Sequence, residues 1–305
     1  MQALVPIDQL FELNREIYPI LDTLANPLIV VGGQAVSYWL AYYDIEDKLT
    51  DEQRLQATSV DIDYCGTRQD FEKCSETWNV DFDIPSIGDA TPEIGHSILR
   101  DKITQNIKEH DGALFVDIIE WEEHHNQAPN VVDILRTPAG FSNIDFENKR
   151  LLQHSSLFEF PSEFDLGLHK KLRILNPIGC LKSRLLNYLL LSKVKNPIKE
   201  VARIKLIIMP IIHFLTEQLH ENGYRETRKY IDLYMILIKS QASMKLCIYE
   251  GVDLSIGLSY FVEQNKTSLP SNFVDIEFAL WKSGVEMKIK RKLQQFATRG
   301  ILTMR

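Results

Sequence analysis

The sequence predicts an α+β fold up to about Asn176, followed by an all-helical bundle from Pro177 onward, giving domains over 1–176 and 177–305. Three observations predict this. Short apolar runs rich in Val and Ile, bounded by Gly, Pro and Asp, recur in the first part and read as strands. Stretches with apolar residues three and four apart alternate with them and read as helices. After Pro177 the strand-like runs stop and only helical spacing continues.

The elements follow in order. Ile7 to Leu24 places Leu10, Phe11, Ile17, Ile20, Leu21 and Leu24 near helical spacing, with Pro6 and Asp8 suited to a helix start and Asn26-Pro27 to a stop. Leu28 to Val31 is a buried strand ending in a Gly-Gly turn, and Gln34 to Tyr43 is helical. Asp44 to Gln56 is acidic and reads as a loop or an inserted helix. Val60 to Tyr64 is the next strand, closed by Gly66, and Arg68 to Trp78 a helix. Asn79 to Gly95 carries Asp, Pro and Gly without periodicity. Ala113 to Trp121 and Val131 to Leu135 are strong strand candidates, expected to pair as a hairpin across a polar loop. Ile144 to His154 reads as a short helix and Leu172 to Leu175 as the last strand. Long helices are expected over about Pro177–Ser192, Pro197–Asn222, Tyr224–Tyr249 and Asn272–Phe296, with Pro210 kinking the second. Gly223 and Gly251 mark ends. The stripe Ile204, Ile207, Ile208, Ile211, Phe214, Leu215 is bundle core.

The totals exclude several classes. A net charge of -8 gives no global case for a nucleic-acid binder, although Lys and Arg between Arg184 and Lys205 could form a local strip. Cys65, Cys74, Cys180 and Cys247 show no Cys-x-x-Cys spacing, which speaks against a zinc site or a disulfide framework. Free buried thiols in a reducing cytoplasm are expected. No basic segment precedes an apolar core at the N-terminus, and the most apolar stretch, Ile204 to Leu215, is too short to span a bilayer. A cytoplasmic protein with no membrane partner is therefore the expectation.

The chemistry concentrates near the N-terminus. Gly32-Gly33 after an apolar strand lets backbone approach a phosphate closely. Asp61 and Asp63 sit at i and i+2 of a strand, so both carboxylates share a face, and a cation relieves their repulsion. A metal-dependent transfer site wants a third carboxylate, and Asp117 and Asp133 stand in similar Val-Asp-Ile settings that the residues alone do not separate. Asp61, Asp63, Gly66 and Glu72 also fall on positions of a calcium loop, but Cys65 is a poor calcium ligand and the preceding segment reads as strand. His124-His125 reads as part of a polar loop, and His96 and His110 as surface or structural histidines. Trp39, Tyr42 and Tyr43 read as packing residues, one of which could stack on a base.

This pattern resembles the nucleotidyltransferase superfamily of polymerase-β-type fold: a Gly-Gly turn, a helix, a strand bearing Asp-x-Asp, and a third acid on a later strand. Among its members the chain is similar to the AbiEii-like nucleotidyltransferases, the toxin halves of some toxin–antitoxin pairs. The resemblance implies a mixed sheet flanked by helices, joined to a helical bundle. It implies Asp133, in Val132-Asp133-Ile134-Leu135 with Gly140 following, as the third acid ahead of Asp117. From Asn176-Pro177 through Lys182 it implies a helix whose Lys182 lies near the nucleotide phosphates, with Arg184 as a companion.

The activity implied is transfer of a nucleoside monophosphate from a nucleoside triphosphate to a hydroxyl of an RNA, a protein or a small molecule. Asp61, Asp63 and Asp133 would hold one or two Mg²⁺ ions, with Mn²⁺ as a substitute; Gly32, Gly33 and Lys182 would bind the nucleotide. An antitoxin protein is the implied partner. The chain departs from the family in Gln34, where many members carry Ser, and in the acidic insertion Asp44–Gln56, which leaves the choice of nucleotide open. The alternative reading is a nucleotidyltransferase fold without catalysis, acting as a binding or regulatory module.

Overall fold

The structure, a computed structural model, describes residues 2–57, 59–85, 93–118, 120–121, 127–147, 150–191 and 197–298. It is α+β and divides into two compact units, Met1–Ser183 and Arg184–Arg305.

In the first unit, β1 (Gln2–Ala3) precedes α1 (Pro6–Ile17), and β2 (Leu28–Val30) precedes α2 (Gly32–Tyr42). Then come α3 (Asp51–Ala57), β3 (Ile62–Cys65), α4 (Arg68–Thr77), β4 (Glu93–Ile98), β5 (Glu109–His110), β6 (Ala113–Leu114) and β7 (Val131–Leu135). The unit closes with α5 (Asn143–Glu147), β8 (Ser155–Leu157), β9 (Leu172–Leu175) and the start of α6 (Pro177–Leu191). Six strands form a mixed sheet in the order β4-β7-β3-β2-β9-β8, and β1-β6-β5 form a small second sheet. At the centre β2 runs parallel to β9 and antiparallel to β3, which runs parallel to β7.

Helix α1 begins where Pro6 supplies a pre-set φ and Asp8 an acidic first turn, and it buries Leu10, Leu13 and Ile17. Buried polar side chains fix its register. Gln9 donates to the Val116 carbonyl at 2.9 Å, Asn130 donates to Gln9 at 2.7 Å, Tyr64 donates to Asn14 at 2.9 Å, and Trp78 donates to the Leu13 carbonyl at 2.9 Å. Helix α4 starts at Thr67, whose hydroxyl accepts from the Asp70 amide. Asp70 in turn accepts from the amides of Ala25 (2.6 Å) and Asn26 (3.0 Å), tying α4 to the segment before β2.

Several expectations are corrected. The strand expected over Ala113–Trp121 stops at Leu114, and residues 118, 120 and 121 are helical. The physical reason is Asp117, whose carboxylate accepts from the Glu120 amide at 3.1 Å and whose carbonyl accepts from Trp121, so it caps a helical turn. The expected hairpin forms only in part: Val116 bridges Pro129 in antiparallel sense, with the Asp117 and Asn130 amides donating to the Ala128 and Phe115 carbonyls, while β7 itself pairs with β3 and β4. Strands β4 and β8 were not expected. The helix expected over Ile144–His154 divides into α5 and a 3₁₀ turn at Arg150–His154.

The second unit contains α7 (Pro197–Leu206), α8 (Ile208–Ile238), α9 (Gln241–Glu250), α10 (Ser255–Gln264), a π-helical turn at Phe273–Phe278 and α11 (Ala279–Thr298). The helix expected over Pro197–Asn222 is interrupted at Ile207, three residues before Pro210, which lacks the N–H that would bond the Leu206 carbonyl and falls in the first turn of α8. The kink in α8 is at Gly223, with φ 75°. The helix expected over Tyr224–Tyr249 ends at Ile238, because the Ser240 hydroxyl accepts from the Ser243 amide and starts α9. Helix α10, which packs on α8, was not foreseen. Ile204, Ile207, Ile211, Phe214 and Leu215 are buried as core. No helix among the described residues is long and apolar enough to cross a membrane.

Candidate active site

Strands β3 and β7 lie side by side in parallel register, with Ile62 opposite Val132 and Asp63 opposite Asp133. Side chains alternate along a strand, so the fully buried Ile62, Tyr64, Val132 and Ile134 take one face while both aspartates take the other. On the far side of β7, His96 of β4 stands opposite Asp133. His96, Asp133 and Asp63 therefore make a row across three strands. The row continues to Val31, whose amide donates to the Asp63 carbonyl at 2.9 Å. Asp61 precedes β3 and is exposed.

The acids press on one another. Burial pushes the Asp133 carboxyl up to about 7, and the charges of Glu93, Asp63 and Asp61 add to the shift. Glu93 was not singled out from the sequence. It begins β4 beside a register shift at Gly95, in a polar stretch where no alternation betrays a strand. The signal that could have found it is the run Glu93-Ile94-Gly95-His96-Ser97-Ile98, in which Glu93 and His96 flank a glycine.

The Gly-Gly turn meets this row directly. Gly32 has φ +68°, and a Cβ built there would fall on the Asp63 carboxylate. A Cβ at Gly33 would fall on the Ser59 hydroxyl. Glycine is thus required at Gly32 by conformation and at both positions by space. Helix α2 starts here with no side-chain cap at Val31, so its first amides form an anion-seeking end next to an acidic pair. Gln34 turns inward, is fully buried, and donates to the Ser59 carbonyl at 2.6 Å; its side chain supports the turn.

The remaining residues divide. Lys182 is half-buried on α6, its ammonium 4.0 Å from the centre of the Phe141 ring. Burial lowers its pKa, and the opposing charge is that of Asp145. It follows β9, whose C-terminal end lies beside the end of β2 that carries Gly32. Neighbouring His154 is held down to about 4 by burial and by the Lys182 charge, which keeps it neutral. Arg184, expected as a companion of Lys182, has its guanidinium buried and paired with Glu200 at 3.1 Å. Asp117 serves as the helix cap described above. The calcium-loop reading fails, since Cys65 lies within β3 and Glu72 pairs with Arg68 at 2.9 Å. His124-His125 lie outside the described residues. His110 binds Arg15 at 2.8 Å, and Trp39 donates to the Leu175 carbonyl at 2.6 Å.

Among the described residues no group of three or more His, Cys, Asp and Glu side chains is arranged to hold a metal ion. The chemistry of the acidic pair still fits a hard cation. Mg²⁺ takes oxygen ligands and uses one or two carboxylates, completing its shell with waters and substrate phosphates. A cavity of about 370 Å³ lies elsewhere, lined by Trp78, Asn79, Asp101, Thr104 and Lys108 among others, and includes none of the candidate residues. No protein-family model, no curated protein and no solved structure matches this chain.

Proposed function

We propose that the N-terminal unit is a metal-dependent nucleotidyltransferase that moves a nucleoside monophosphate from a nucleoside triphosphate to a hydroxyl acceptor. The observation that carries this reading is the seating of Asp63 against Gly32 with Asp133 across the strand. A phosphate at the α2 amides and a cation at the carboxylates would then be adjacent. Asp63 and Asp133, with Asp61 at the rim, are the residues to hold Mg²⁺ or Mn²⁺. A divalent cation there neutralises phosphate charge and acidifies an attacking hydroxyl. The chain's own residues do the positioning. The amides of Gly32 and Gly33 would orient phosphate oxygens, and the Asp133 carboxylate would accept the proton of the acceptor hydroxyl. Lys182 offsets charge on the phosphates, provided the nucleotide draws its ammonium away from Phe141.

The double variant Asp61→Asn, Asp63→Asn is expected to stay folded and lose label transfer from α-³²P-labelled NTP. Transfer at the wild-type rate would sink the assignment. The second reading is a nucleotidyltransferase fold without catalysis, acting as a binding or regulatory module. Calorimetry separates the two: Mg²⁺-dependent NTP binding with labelled product supports the enzyme, and a folded chain with neither supports the inactive module. A toxin role with an antitoxin partner rests on the family resemblance alone.

A further inference from the structure

We infer that the last helix of the C-terminal unit, α11, is a nucleic-acid-binding arm that grips the phosphate backbone, a role separate from the candidate transferase site. Charge is split unevenly along this chain. Residues 184–305 carry 19 Lys and Arg against 11 Asp and Glu, a net of +8, while residues 1–183 carry 15 against 31, a net of -16. Asymmetry of this size between two parts of a chain points to a polyanionic partner for the basic part.

The cations concentrate on α11. It holds Lys282, Lys288, Lys290, Arg291 and Lys292 against a single acid, Glu286. Its first turns pack through the buried Trp281 and Val285. From Glu286 to Thr298 every side chain is exposed except Ile289 and Phe296, which are half-buried. At 100° per residue, Trp281, Val285, Lys288 and Lys292 share one stripe, so the stripe turns from core to cationic where packing ends. Ile289, Leu293 and Phe296 form a neighbouring stripe, and Phe296 stacks edge-on against Tyr249 at 5.2 Å. Lys288, Lys290, Arg291 and Lys292 occupy about 200° of the remaining circumference. Among the described residues none of the five cations is recorded in an ion pair, and the Lys288 ammonium donates to the Lys239 carbonyl.

Such a run repels itself and weakens its own helix. The helix dipole rewards cations only in the last turn, and this run lies before it. A membrane surface is the poorer occupant: away from the Phe296 stripe, the large exposed apolar side chains of α11 are Leu280 and Met287, set among Gly284 and Arg291. Four cations on an exposed helix suit a chain of phosphates, whose counterions they release.

The test is fluorescence anisotropy of the full chain with a labelled 20-nucleotide single-stranded RNA, in EDTA, between 50 and 250 mM KCl. Each phosphate contact gives about 0.7 of log–log salt slope, so the four residues account for about 3. Replacing Lys288, Lys290, Arg291 and Lys292 with Ala is expected to cost at least about tenfold in affinity and to remove about 3 from the slope. Exchanging Lys for Arg at these positions should keep both. Unchanged affinity in the Ala variant overturns the proposal, as does binding to vesicles containing phosphatidylserine with none to RNA. Binding is read in EDTA without any nucleoside triphosphate, so failure of the transferase reading leaves this result standing.

Discussion

At the scale of single residues, Asp133 has the opposite pH behaviour from most carboxylates. Its folded-state carboxyl titrates at about 7 against an ordinary value of 3.8, so between those limits the folded chain holds a proton that the unfolded chain releases. Its contribution to stability therefore falls as pH rises from about 4 to about 7 and is level above that. Urea midpoints measured in EDTA at pH 5 and pH 8 should show the loss, and Asp133→Asn should shrink the difference. Gly32 is the second residue whose effect is set by its surroundings. Gly32→Ala adds a positive-φ penalty to a collision with the Asp63 carboxylate, for about 2 kcal/mol or more. Gly251→Ala, at φ +68° with nothing nearby, carries the backbone penalty alone, about 1 kcal/mol. Equal destabilisation of the two variants would show that the Gly32–Asp63 approach contributes nothing.

At the scale of elements, short polar side chains decide where helices start. Asp70 links the start of α4 to the approach to β2. Burial works against its charge, and hydrogen bonds from Thr67, Ala25 and Asn26 outweigh it, leaving its pKa lowered. That stabilisation is present at neutral pH and is lost as pH falls through the carboxylate range. Asp70→Ala leaves two amides without their acceptor and should cost about 1–3 kcal/mol by urea unfolding at pH 7, with less difference from wild type at pH 3. The same kind of contact limited what could be read from the chain. Asp117 looked like a strand residue among β-branched neighbours, yet its carboxylate reaches the Glu120 amide and turns the chain. Ser240 ended a long helix in the same way. Strands β2, β3, β7 and β9 were legible because their apolar runs are buried in the middle of the sheet. Edge strands β4 and β8 were not, since most of their side chains are only half-buried and they carry no continuous apolar run. The aspartates and the Gly-Gly turn could be named from spacing. Glu93 and His96 could not, because only the pairing of β4 with β7 brings them to Asp133. The pairing of Arg184 could not be read from the sequence because its partner Glu200 lies on another helix.

At the scale of the whole molecule, the order of the large sheet sets a condition on how the chain can assemble. Strand β2 is flanked by β3 on one side and by β9 on the other, and β9 begins at Leu172, more than a hundred residues further on. Closing a loop of that length carries its entropic cost before any pairing rewards it, which slows folding. During synthesis β2 keeps one open edge until β9 has left the ribosome. Amide exchange on a chain truncated after Phe158 should find β2 unprotected, whereas the full chain protects it. The turn at Gly32 leaves that same strand, so the Gly-Gly turn and the acids beside it take their places only after more than half of the polypeptide exists. A nascent chain shorter than this lacks the assembled acidic row, and the order of the strands thereby sets when that site first exists.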